Sequence, residues 1–176
     1  TTINNILPKD IIIWGIADVN KAFDSRFSCL FREYKYFFLR KNMNLDLMKK
    51  AAKKLQGFHN FKNFCKIDKS VKDPSKKTYE RRIYEFKIEN YEKFSFPYNF
   101  EKTSENNYFD MCIVTIKGSA FLWHQVRCMM SIIFSIGKGL EDLSIIDEMY
   151  KTESGKIYNY EIASDLPLIL SNCEFE

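Results

Sequence analysis

Between Asn44 and Gly57 the apolar positions Leu45, Met48, Ala52 and Leu55 recur on one helical face, while Lys49, Lys50, Lys53 and Lys54 lie largely off it. Asn44 stands before this pattern as a cap and Gly57 after it as a stop, so the run predicts an amphipathic helix. Residues 121–136 are almost uniformly apolar and predict a buried helix, and residues 143–150 a short amphipathic one. The rest of the patterned sequence reads as strand. Residues 10–18, D-I-I-I-W-G-I-A-D, form a short apolar run bounded by acids, which suits a buried strand. Residues 29–40 alternate around Arg32, Tyr34 and Tyr36, are rich in aromatics and contain no breaker. Residues 79–90 set Ile83, Glu85, Lys87 and Glu89 against Tyr84, Phe86 and Ile88, and residues 108–117 and 166–175 supply two further strands. Pro167 fits only the start or the edge of the last one. Lysine-rich residues 66–78 and polar residues 99–107 predict exposed loops.

With the first strand and the short helix set aside, the order is β-α-β-β-α-β. This is an α+β, ferredoxin-like split βαβ plan: an antiparallel sheet carries both helices on one face and leaves the other free. RNA-binding modules, metal carriers and small enzymes all use it, so the plan alone assigns no function.

Composition narrows the class. A chain of 176 residues, 45% hydrophobic and 16% aromatic, supports one domain with a substantial core. Arg127 interrupts the longest apolar run, so no segment reaches the roughly 18–20 apolar residues that span a bilayer, and no basic-then-apolar leader opens the sequence. The expectation is a soluble, intracellular protein of cytoplasm or nucleus, with no membrane partner. Five widely spaced cysteines without a C-x-x-C pair suggest reduced core thiols rather than a disulfide framework or zinc site. Without a Gly-rich phosphate loop or a His/Cys cluster, neither cofactor nor metal is expected. Charge is distributed unevenly: residues 49–93 carry 14 Lys or Arg against 6 Asp or Glu, the remainder 13 against 17. A basic middle can face phosphate or simply be a solvated surface.

The candidate chemistry starts at Arg127. A guanidinium cannot lose its charge to escape burial, so within this apolar segment it needs an anion or an outlet to water. Asp147 is one acid within reach of the pattern. Asp18, Asp24 and Asp110 read as strand-end, turn and solvent-face acids.

Four stretches carry a family likeness: S-R-F-S-C-L-F-R-E-Y-K-Y-F-F from Ser25, G-F-H-N-F from Gly57, F-L-W-H-Q-V-R-C-M-M from Phe121 and L-P-L-I-L-S-N-C-E-F from Leu166. Together they resemble the TruA family of tRNA pseudouridine synthases, in particular the eukaryotic branch acting at positions 38 and 39 of the anticodon stem-loop. The likeness implies isomerisation of uridine to pseudouridine, tRNA as partner, no cofactor, and room for a homodimer. It makes Tyr34 the active-site tyrosine, stacking on the target base with its hydroxyl near the proton to be removed, and Arg127 the cation that pairs with a nucleophilic aspartate. Leu122 and Leu168 would line the uracil pocket. His124 would neighbour RNA or the active site, and Arg26 would contact the nucleic-acid backbone or hold its own loop. Arg81 and Arg82 are additional candidates for phosphate contact. The family's aspartate lies in an Arg-Thr-Asp motif that these residues lack. The expectation is therefore that residues 1–176 are the C-terminal part of a catalytic domain, inactive without the part bearing the nucleophile. The rival is a non-catalytic RNA-binding or interaction module of the same fold, although the glycine-bearing aromatic motif of an RRM-type reader does not occur.

Overall fold

The computed structural model describes residues 2–66, 78–91, 110–152 and 158–175. Most of the loop expected at 66–78, and all of the insertion at 99–107, lie outside the described residues.

Five strands, β1 (Cys29–Leu39), β2 (Gly57–Asn60), β3 (Glu80–Asn90), β4 (Met111–Gly118) and β5 (Leu168–Phe175), form one antiparallel sheet in the order β2-β3-β4-β1-β5. Helices α1 (Leu45–Lys54), α2 (Gln125–Gly137) and α3 (Ser144–Tyr150) complete the domain. With β2 set aside as an added edge, the order β3-β4-β1-β5 is that of the split βαβ plan, β1 and β4 forming the centre.

Period-two alternation decides which face is covered. Along β4, Cys112, Val114 and Ile116 are buried while Met111, Ile113, Thr115 and Lys117 are only partly so. Tyr36 and Phe38 of β1 join the buried set and pack against Phe134 of α2. Fully burying a side chain such as Ile116, Ile133 or Met129 contributes about 1.5–3 kcal/mol, and this single cluster is the principal source of stability. On the opposite face Lys117 Nζ stands 3.6 Å above the Phe31 ring.

Helix α1 begins where its cap predicts. Asn44 Oδ1 accepts from the backbone N–H groups of Asp46 and Leu47, and Met48, Ala51 and Ala52 face inward. Its contact with α2 is close at Gly137, where a Cβ would lie 2.7 Å from Met48 Cγ and Sδ. The Asn44 N–H donates to Gly137 O at 2.7 Å, which fixes the end of α2 to the start of α1.

Three expectations are corrected. Residues 10–18 form no strand: the segment has no regular secondary structure, Ile11, Ile12, Trp14 and Ile16 are exposed, and Asn4 takes up the backbone N–H and C=O of Ile13 with its side-chain amide. An apolar run becomes a strand only where a neighbour offers a ladder, and no described strand does so here. Helix α1 ends at Lys54 with Leu55 as its cap, before the stop expected at Gly57, and Gly57 instead opens β2, its φ of +108° turning the chain onto the edge of β3. Finally, α2 starts at Gln125 rather than at residue 121, because residues 121–124 turn on themselves.

Candidate active site

Tyr34 and Tyr36 lie on the covered side of β1, opposite Leu170 and Leu168 of β5. The Tyr34 ring meets Phe121 edge-on at 5.1 Å. Burial raises its phenol pKa, with Arg32 opposing, so the hydroxyl stays protonated at neutral pH and can donate. Tyr36 donates its hydroxyl to Ser164 O at 3.0 Å; burial raises its pKa too, and the charge opposing the shift is that of Arg127.

Arg127 emerges from the first turn of α2 with 17% of its side chain exposed. Its Nε donates to Ala163 O at 2.7 Å, and the Ala163 N–H returns a bond to Arg127 O at 3.3 Å, so residues 161–165 lie along the helix. The Ser131 hydroxyl, donating to Glu161 O, continues this seam. Arg127 Nη1 stands 3.3 Å from His124 Nδ1 and 3.8 Å from Asp165 Oδ2. An arginine only donates, so Nδ1 accepts and the ring proton lies on Nε2. His124 is held below its ordinary pKa by burial first and by Arg127 next, which keeps the ring neutral at pH 7.

The Asp165 contact is weak. Its carboxylate is 74% exposed, and a pair of this length at the surface contributes no more than about 1 kcal/mol. Asp147, the acid within reach in the sequence, bonds Lys54 instead at 2.7 Å. Among the described residues no carboxylate comes closer to Arg127 than 3.8 Å, and Nη2 donates to none of them. A largely buried guanidinium is thus held on one edge by neutral acceptors and left open on another.

The loop ahead of α2 joins the two halves of the site. Phe121 touches Tyr34, Leu122 is buried, and His124 reaches Arg127. Leu168, half-buried on β5 opposite Tyr36, packs against the same core. Arg26 belongs to another arrangement: Asp24 Oδ1 accepts the N–H groups of Arg26 and Phe27, the Arg26 guanidinium lies over Phe27, and the Arg26 carbonyl accepts from Arg32. Arg82 is exposed over Phe58, whereas Arg81 is turned onto the carbonyls of Thr78 and Glu80.

The sequence profile of the tRNA pseudouridine synthases matches residues 51–176, which takes in the last turn of α1, the whole of β2 to β5, and Arg127. The chain belongs to the tRNA pseudouridine synthase family. It is 37% identical over 175 residues to the tRNA pseudouridine(38/39) synthase of Bos taurus, covering 99% of this chain and 35% of that protein. The tRNA pseudouridine(38/39) synthase of Saccharomyces cerevisiae is 40% identical over 178 residues, with 98% and 35% covered. An archaeal tRNA pseudouridine synthase A, from Methanosphaera stadtmanae, is 33% identical over 180 residues, with 99% and 57% covered. The chain therefore spans about a third of the length of its eukaryotic synthase relatives. Within this synthase fold, sequence reasoning missed Tyr36, Phe121, Gln125 and Asp165. Tyr36 had a visible signal, since it shares a strand face with Tyr34; the others acquire their place only through the turn at 122–125 and the return of residues 161–165.

Proposed function

We propose that residues 1–176 supply the C-terminal part of the catalytic domain of a tRNA pseudouridine synthase acting on the anticodon stem-loop at positions 38 and 39. The nucleophilic aspartate would come from a part of the polypeptide outside these residues. The observation that carries this reading is Arg127, a guanidinium mostly withdrawn from water, held by neutral acceptors and short of a close carboxylate. Such a site suits an incoming carboxylate: the pair keeps it ionised, and hence nucleophilic, where water is excluded. Tyr34, braced by Phe121 and protonated at neutral pH, suits stacking on a uracil lifted from its helix and hydrogen bonding at its edge. The reaction breaks the bond from N1 to the ribose and remakes it from C5, so no reagent is consumed. The names of the relatives support tRNA as the substrate.

The test is made in the polypeptide that joins these residues to an Arg-Thr-Asp segment. Removing one partner of a buried charged pair costs about 3–5 kcal/mol, so Arg127→Ala should slow pseudouridine formation by about 100-fold or more while tRNA affinity stays within a few-fold. A variant that turns over at near-normal rate, or residues 1–176 forming pseudouridine by themselves, would remove the basis of this reading.

A further inference from the structure

The approach to Arg127 contains a backbone feature that the chemistry above does not use. Residues 122–125 form a turn closed from both sides: the Gln125 N–H donates to Leu122 O at 3.0 Å, and the Leu122 N–H donates back to the Gln125 side-chain Oε1 at 2.7 Å. Gln125 is 1% exposed, and its buried Nε2 has no partner among the described residues, so its hydrogen bonding consists of that one locking contact. The lock acts on His124, which occupies the left-handed region at φ 58° and ψ 12°. A non-glycine residue persists there only where its surroundings over-determine it. The imidazole so placed meets Arg127 Nη1 at 3.3 Å, and Trp123 covers its outer side at 4.4 Å between ring centroids.

We propose that His124 and Gln125 form a positioning device for Arg127: Gln125 locks the turn, the turn holds His124 left-handed, and His124 Nδ1 fixes one edge of the guanidinium so that its free edge meets the nucleophile. The inference rests on the reading that Arg127 serves that nucleophile. Neither residue touches the reacting atoms. The device works only with a neutral ring, since an imidazolium has no acceptor and repels Arg127. Among the described residues the charges that act on His124 are Arg127 and Lys66, which favour the neutral ring, and Asp165, which opposes them.

The experiment uses the full-length polypeptide. His124→Gly accepts the left-handed backbone without strain, so its melting temperature should equal or exceed that of the parent, while its acceptor is gone. Its kcat should fall about ten-fold with tRNA affinity within two-fold, the acid limb of the pH–rate profile should vanish, and added imidazole should restore turnover. Gln125→Met, similar in shape but lacking Oε1, should reproduce the fall in kcat. In the parent protein, the acid-side midpoint of kcat should coincide with the His124 ring titration followed by NMR; this needs no variant, and a mismatch overturns the proposal. Wild-type kcat and an unchanged acid limb in His124→Gly, beside an inactive Arg127→Ala, overturn the positioning role alone. An active Arg127→Ala overturns the reading of the site together with it.

Discussion

Tyr34 combines two properties that one substitution separates. Its ring is braced edge-on by Phe121, and its hydroxyl is kept protonated by burial. Tyr34→Phe retains the first and deletes the second, so the fold and tRNA affinity should be unaffected. Positioned proton transfer contributes about 10²–10⁴-fold, and kcat for Tyr34→Phe should fall by roughly 100-fold in single-turnover assays. Because burial raises this phenol pKa, no alkaline limb from Tyr34 should appear below about pH 10. A limb below that pH that disappears in Tyr34→Phe would show the phenol to be less enclosed than its packing against Phe121 implies. Arg127 was legible in the sequence because an obligate cation inside an apolar run has few reasons to be there. Asp165 was not, since it approaches only after the chain returns along α2, and the left-handed conformation of His124 has no signature in residue order.

At the scale of elements, the crossing of α1 over α2 depends on a missing side chain. A Cβ on Gly137 would lie 2.7 Å from Met48 Cγ and Sδ and 3.3 Å from Met43 Cβ, well inside ordinary contact. The methionine is flexible, but Met43 and Met48 are both buried, so the overlap must be relieved by moving α1. Gly137→Ala should therefore destabilise the domain by about 1–3 kcal/mol in urea titration, against the gain that alanine ordinarily brings to a helix. An unchanged or raised midpoint would mean that the two helices are not in close register. The cap located the start of α1 at Leu45, while its end fell short of the expected stop at Gly57; strand alternation located β1, β3 and β5 within one or two residues at each end, because these signals are local. β2 escaped notice because four residues are too few to show a period. The run at residues 10–18 misled for the opposite reason: its pattern is that of a strand, but pairing is not a property of the segment itself.

For the molecule as a whole, the balance of its buried aromatics with pH provides a test of the packing that needs no RNA. Tyr34, Tyr36, Tyr150 and Tyr160 all have phenol pKa values raised above the ordinary value of about 10, in every case chiefly by burial. Tyr150 stacks on His59, and Tyr160 donates its hydroxyl to Asn63 O, so the four residues tie α3 and the segment before β5 to the sheet. In the unfolded chain these groups release protons near pH 10, whereas the folded domain retains them to higher pH. The unfolded state thus binds fewer protons above that point, and stability must fall as pH rises. Stability from this source is complete below about pH 10 and is lost progressively toward the raised folded values. Urea midpoints should be level from neutral pH to about 9 and then decline, with tyrosinate absorbance appearing together with loss of structure rather than before it. Substituting Tyr160 by Phe should lessen the alkaline decline at the cost of its bond to Asn63 O, about 1 kcal/mol at neutral pH. If the tyrosines instead titrate near their ordinary value while the domain remains folded, they are not enclosed, and the arrangement of residues 158–165 over the site is wrong.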